Sequence, residues 1–251
     1  MTINWPLTII LVLLCLPGIA ITIPRIISFL LPDSSQTIKK RLSAIAVGQT
    51  VLMVFIMSLT GSILSKPTGL GAPFLVSLLK IEPSHLVITD ILLPVFMYTI
   101  IGLFIFLILF YGLLALFTTQ ENMQILKKMR HAIGLDGCML YSVVDEVMAR
   151  WGILNVLIFF GFIFSGQRSI QIIWLAIILS SLMYTLLQLP AYLASGCKSS
   201  RAFVYALVIL QSWQSIIFGY IFWQYGLLAA IVAHMLFHLF WWIYDRPDEL
   251  V

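Results

Sequence analysis

Residues 92–118 read LLPVFMYTIIGLFIFLILFYGLLALFT, and no side chain in this stretch is charged. About 20 consecutive apolar residues are enough for an α-helix to cross the hydrocarbon core of a bilayer. Six further runs have a similar length and character, at residues 5–31, 42–64, 141–164, 170–189, 202–223 and 226–244. The sequence therefore predicts an all-α, polytopic transmembrane helical bundle of about seven spans.

The composition excludes most soluble classes of protein. Hydrophobic residues make up 61% of the chain and charged residues 10%, whereas soluble domains carry roughly 25% charged residues. Ten-residue segments of alternating hydrophobicity are absent, so we do not expect a membrane barrel. The three cysteines, Cys15, Cys138 and Cys197, are too far apart in the sequence to indicate a disulfide framework or a zinc knuckle. The basic residues form short clusters between apolar runs, which favours a lipid bilayer as a partner and argues against nucleic acid.

Several features divide the runs from one another. No Lys or Arg precedes the first run, which is also too long for a signal peptide, so we expect a retained helix. We expect Pro17, Gly18 and Pro24 to break that helix, and Pro190 to end the fifth span.

The connections between the runs also carry predictions. Residues 65–90 form a long loop in which a short surface helix is expected at 72–80. Residues 119–138 are polar and basic, and are expected to lie on the membrane as an amphipathic helix. Residues 224–225 form a short turn that makes the last two spans antiparallel neighbours.

The distribution of basic residues predicts the orientation. If the N-terminus lies outside, the cytoplasmic basic residues are Lys39, Lys40, Arg41, Lys127, Lys128, Arg130, Lys198, Arg201 and Arg246. The outside then carries only Lys66, Lys80 and Arg168. Because cytoplasmic loops of membrane proteins are enriched in Lys and Arg, we predict a multi-pass protein of the cell inner (cytoplasmic) membrane with an external N-terminus and a cytoplasmic C-terminus.

Ionisable residues inside a span are costly, and they are candidates for a functional site by default. The fourth span begins YSVVDEVMARWG at residues 141–152. Glu146 and Arg150 are four residues apart, so they share a helix face and can form an ion pair. Asp145 points about 100° away from Glu146, so it is expected to face a cavity.

Two later spans carry polar residues at a similar depth. Tyr184 and Gln188 share one face near the end of the fifth span, and His234 and His238 share one face of the last. His238 lies about 18 Å along its helix from Gly226, at 1.5 Å per residue. All of these polar groups therefore fall in the half of the bundle that is predicted to be cytoplasmic.

These residues resemble the motifs of the CPBP family of intramembrane proteases, which includes the CAAX prenyl endopeptidases and bacteriocin-processing or abortive-infection proteins. That family shows Glu-Glu-x-x-x-Arg, then Phe-x-x-x-His often followed by Leu-Pro, then His-x-x-x-Asn or Asp. The corresponding stretches here are DEVMAR at 145–150, YTLLQLP at 184–190 and HMLFH at 234–238. The resemblance covers about 141–242, and divides the chain into N-terminal helices and loops at 1–140 and a family-like core at 141–251, formed by the last four spans.

The resemblance implies hydrolysis of a membrane-associated peptide by an activated water, without a cofactor or a catalytic metal. Asp145 takes the place of the general base, and Glu146 and Arg150 support it. Gln188 takes the place of the histidine of the second motif. His234 and His238 complete the site by orienting the water or donating to the oxyanion.

This chain departs from the family pattern at Asp145, which is one methylene shorter than Glu, and at Gln188 and His238, which replace His and Asn or Asp. These departures leave alternatives open. The chain could be a catalytically inactive relative that acts as a membrane peptide-binding, immunity or regulatory protein. A transporter is a second alternative, since buried ionisable groups also line transport paths.

Each group of polar residues also has a purely structural interpretation. Asp145, Glu146 and Arg150 could form an interfacial salt-bridge cluster, and Gln188 could cap a helix end. His234 and His238 could only bridge helices through hydrogen bonds. With one carboxylate, the same pair could also hold a metal ion.

Overall fold

The protein is described by a computed structural model, which covers residues 3–80 and 88–245. Within these ranges every regular element is helical. The α-helices are α1 (Trp5–Leu30), α2 (Gln36–Thr68), α3 (Pro73–Lys80), α4 (Ile88–Ile108), α5 (Ala115–Phe117), α6 (Gln120–Glu146), α7 (Asn155–Ser165), α8 (Ile170–Ala194), α9 (Arg201–Tyr225) and α10 (Leu227–Tyr244). Two π-helical segments, π1 (Leu109–Leu114) and π2 (Val147–Leu154), continue α4 and α6 without a break.

In the described part of the chain, seven continuous helical stretches are long and apolar enough to cross a membrane. Large apolar side chains cover their outer surfaces, as at Leu93, Phe104 and Phe164. Removing such a surface from water into lipid is favourable. The predicted all-α, multi-pass bundle of seven spans is confirmed.

The predicted breaks at prolines are wrong in two spans. Pro17, Gly18 and Pro24 lie inside the single helix α1. The fifth span does not stop at Pro190, since α8 continues to Ala194. A proline removes one backbone hydrogen bond, but spanning helices tolerate this because neighbouring helices and local adjustments satisfy the freed groups.

The boundaries of two other spans also differ from the prediction. The second span is longer than 42–64, since α2 begins directly after Ser35 and ends before Gly69. The Ser35 side chain caps the start by accepting a hydrogen bond from the Ile38 amide, and Gly69 ends the helix in the left-handed conformation. The helix predicted at 119–138 is present in part, since α6 consists of two helical segments that meet at a kink, where Gly134 has a non-helical backbone (φ 78°, ψ 162°). The first segment ends at this kink rather than at residue 138. Asn122 and Arg130 in this first part are buried against the protein rather than turned to a membrane surface.

The packing places the last four spans around one core. α9 packs against α8, α10 and α4, while α10 also packs against α6 and α4. The predicted short helix is confirmed as α3, and the predicted antiparallel hairpin is confirmed for α9 and α10. The turn predicted at 224–225 lies at Gly226 instead, because α9 continues to Tyr225. The two helices of this hairpin are joined by Gly226 (φ +86°), and the rings of Phe218 and Phe237 meet at 5.6 Å between centroids.

The N-terminal spans pack on the same core. α1 lies against α2 and α6, and α2 lies along π2 and α7. Two glycines permit this close approach. A Cβ on Gly18 would overlap the Leu140 carbonyl of α6, and a Cβ on Gly61 would overlap Trp151 of π2. The first two spans are therefore fixed directly against the helix that carries the first motif.

Candidate active site

A cavity of about 370 Å³ lies between α1, α4, α6, α8, α9 and α10. It sits toward the end of the bundle at which α1 and α10 end and α9 begins. Among the predicted site residues, those that line it are Asp145, Arg150, Gln188, His234 and His238. Glu146 lies behind the wall and contacts His234. The structure therefore places five of the six predicted residues on the wall of one cavity, with Glu146 directly behind it.

Glu146 and Arg150 form the ion pair that their spacing predicts. Arg150 Nε lies 3.2 Å from Glu146 Oε2, and both side chains are almost fully buried. The other carboxylate oxygen, Oε1, lies 2.8 Å from Nδ1 of His234. Glu146 therefore links the first motif on α6 to the third motif on α10.

Two polar residues of α9 complete this network, and they were not predicted from the sequence. The Gln214 side-chain nitrogen lies 3.2 Å from Nε2 of His234. Arg150 Nη2 donates to the Ser215 carbonyl at 2.7 Å and to its hydroxyl at 3.1 Å. The sequence QSWQS at 211–215, inside an otherwise apolar helix, is the signal that could have revealed them.

The network fixes the state of the His234 ring. The Glu146 carboxylate accepts a hydrogen bond from Nδ1–H of His234, and in that tautomer Nε2 accepts a hydrogen bond from the Gln214 amide. Both ring nitrogens of His234 are therefore engaged. Within the described residues no group of three His, Cys, Asp or Glu side chains is arranged to hold a metal ion.

Asp145 lies on the cavity wall as predicted, and it has a hydrogen-bonded partner there. The Tyr184 hydroxyl on α8 donates to Oδ1 of Asp145. Tyr184 is thus more than the packing residue that an aromatic side chain at this position suggests. Gln188 lines the same cavity one turn further along α8.

His238 is placed differently from His234. Its ring stacks on His234, with 4.9 Å between centroids and 23° between planes, and also on Trp241. Neither of its ring nitrogens has a hydrogen-bond partner among residues 3–80 and 88–245. His238 therefore presents an available imidazole to the cavity.

Helix α2 supports the segment that carries Arg150. The Trp151 indole donates to the Ser58 carbonyl at 3.0 Å. Asn155 donates to the Trp151 carbonyl at 2.9 Å and accepts from the Thr68 hydroxyl at 2.5 Å. π-helical segments leave backbone groups without their usual partners and often occur at functional sites. Here the Asn155 side chain of α7 satisfies one such group, the Trp151 carbonyl.

The fold and the cavity together define a multi-pass membrane protein that encloses acid, guanidinium, imidazole and amide side chains between its helices. Residues 131–240 match the family described as "Type II CAAX prenyl endopeptidase Rce1-like". This part of the chain is therefore similar to a family of CAAX-protease-like intramembrane proteases, and the resemblance predicted from the three motifs is confirmed at that level. Comparisons with curated proteins and with solved structures gave no match.

The match extends ten residues before the predicted start of the family-like core at 141. It therefore includes Gly134, at which α6 bends, as well as all three motifs. The division of the chain at residue 140 stays a prediction.

Proposed function

We propose that this protein is an intramembrane endopeptidase that hydrolyses a membrane-associated peptide with a water activated at Asp145. The observation that supports this most is the position of Asp145. Its carboxylate lies on the wall of a cavity shared with Arg150, His234 and His238, at the end of the bundle to which all three motifs contribute. A general base must lie within hydrogen-bond reach of the proton that it removes, and this cavity has room for the water.

Asp145 accepts a proton from the water as the water oxygen attacks the peptide carbonyl carbon. The carbonyl oxygen becomes an oxyanion, and the proton passes from Asp145 to the leaving amine as the C–N bond breaks. The imidazole of His238 and the amide of Gln188 face the same space and can donate to the oxyanion. Glu146 and Arg150 act through His234, whose orientation they hold.

The cavity also indicates the character of the substrate. Much of its wall is apolar, formed by Phe106, Phe110, Leu126, Leu207 and Leu210. Apolar side chains gain free energy on leaving water for such a surface. We therefore propose an apolar peptide segment, presented from the bilayer on the cytoplasmic side of the cell inner membrane, with the N-terminus of this protein outside.

The test is a cleavage assay with the full-length protein in lipid vesicles. A set of synthetic peptides with apolar segments is added in ¹⁸O-labelled water, and the products are read by mass spectrometry. We expect cleavage with one ¹⁸O atom in the new carboxyl group, and loss of cleavage in Asp145→Ala. Asp136→Asn is the matched control, because Asp136 is an exposed acid of the same helix that pairs with Arg25. Cleavage that survives Asp145→Ala would show that the base is assigned wrongly.

A second candidate is a catalytically inactive relative that binds a membrane peptide. It is favoured by one observation, namely that both ring nitrogens of His234 are already engaged by Glu146 and Gln214. In that case Asp145→Ala leaves the cellular phenotype of the protein intact. Loss of the phenotype at normal expression would count against this candidate.

A further inference from the structure

The hydrogen bond between Tyr184 and Asp145 joins two helices at the cavity. Tyr184 is 9% exposed, and its ring packs against Ala149 and Ile153 of π2. Its hydroxyl donates to Oδ1 of Asp145. Within the described part of the chain this is the one side-chain hydrogen bond that the Asp145 carboxylate makes. The orientation of the acid therefore depends on Tyr184.

Both partners of this bond depart from the motif pattern that the chain resembles. The first motif has Glu where this chain has Asp145, and the second has Phe where it has Tyr184. The acid is one atom shorter and the ring is one atom longer. The two departures lie at the two ends of a single contact.

We propose that Tyr184 is a positioning residue for Asp145, and that Tyr184 and Asp145 are a coupled replacement for Phe and Glu. This inference rests on the proposed function, since it assigns Tyr184 a role in placing the base. A rigid phenol that donates to Oδ1 holds the carboxylate in one rotamer and directs Oδ2 toward the cavity. Such support matters because a displacement of about 1 Å at a catalytic group can cost about a hundredfold in rate.

The contact also explains how the Asp145 carboxylate can be held in position although its side chain is one methylene shorter than that of Glu. Asp145 follows directly on the buried residues Val143 and Val144, so its backbone is fixed in the core of α6. The backbone cannot advance to compensate for the lost methylene, because closely packed interiors resist such shifts. The Tyr184 ring is held by π2, and its hydroxyl supplies the missing contact from the opposite wall.

The experiment is a double-mutant cycle in the full-length protein in lipid vesicles. The variants are Tyr184→Phe, Asp145→Glu and the double variant, with Asp145→Asn to identify the infrared bands of this carboxyl group. Infrared difference spectra report the hydrogen bonding of the carboxyl group without any substrate. Hydrolysis of the synthetic apolar peptides is measured in parallel as kcat and KM.

We expect Tyr184→Phe to shift the Asp145 carboxyl band and to lower kcat by about a hundredfold, with KM little changed, as a positioning role requires. Asp145→Glu alone is also impaired, and the double variant recovers most of the lost rate. An unchanged carboxyl band in Tyr184→Phe overturns the inference, as does a double variant that is no better than the worse single one.

The infrared result separates this inference from the proposed function. A band shift in Tyr184→Phe without peptide cleavage by any variant, the unmodified protein included, supports the pairing of the two side chains and counts against proteolysis. Cleavage that responds to Asp145 but not to Tyr184 supports the proposed function and refutes the positioning role.

Discussion

Replacement of Arg150 by Met provides a direct test of the buried network. The Glu146 side chain is fully buried and that of Arg150 is 3% exposed. In Arg150→Met the carboxylate keeps the hydrogen bond from His234 but loses the cation beside Oε2. The Ser215 carbonyl also loses its donor. Removing one partner of a buried pair costs about 3–5 kcal/mol, because an uncompensated charge remains in the interior.

We therefore expect Arg150→Met to lower the free energy of unfolding by about 3–5 kcal/mol. Adding Glu146→Gln removes the uncompensated charge and should recover a large part of that loss. Lys198→Met is the matched control, because its partner Glu121 is 59% exposed and Lys198 itself is 71% exposed. An exposed pair of this kind contributes about 1 kcal/mol or less.

The assay is equilibrium unfolding in mixed micelles of increasing sodium dodecyl sulfate content, followed by tryptophan fluorescence. The reasoning is refuted if Arg150→Met costs no more than Lys198→Met. It is equally refuted if the double variant is less stable than Arg150→Met alone, since Glu146 would then not be the source of the loss.

Three further variants test other contacts. Gly61→Ala places a methyl group against the indole and carbonyl of Trp151 in π2, and should lower the free energy of unfolding by about 1–3 kcal/mol. Its control is Gly48→Ala on the same helix, which meets nothing within 4 Å and should stabilise the protein slightly. Equal effects of the two variants in the micelle assay would contradict the packing. Asn155→Leu removes two buried hydrogen bonds and should cost about 1–3 kcal/mol in the same assay; a neutral result would mean that they do not support π2. His238 is expected to supply the imidazole that the second motif lacks. His238→Asn should therefore abolish peptide cleavage, and adding Gln188→His should restore it. Cleavage that is unaffected by His238→Asn would exclude this role of His238.

Features that depend on local periodicity could be predicted from the sequence. The seven spans follow from the length of the apolar runs, because backbone groups in hydrocarbon must be satisfied within a helix. The ion pair between Glu146 and Arg150 follows from a separation of four residues in one helix. The order and spacing of the three motifs indicated the family, and the match at 131–240 bears this out.

Features that depend on several helices at once could not be predicted in this way. The effect of a proline is an example, since Pro17, Pro24 and Pro190 are accommodated by neighbouring packing that no local pattern encodes. The bend at Gly134 is another, because a single glycine within a polar segment does not reveal whether a helix continues beyond it.

The sequence by itself determined which residues are polar, which helix each occupies and which face of that helix it shares. Only the tertiary structure decided which of these residues form hydrogen bonds between helices. The pairs are Tyr184 with Asp145, Gln214 with His234, and Arg150 with the Ser215 carbonyl. The physical reason is that helical periodicity fixes angles within one helix, whereas contacts between helices depend on how each is rotated and how closely it approaches its neighbours. Those quantities are set by the packing of the whole bundle.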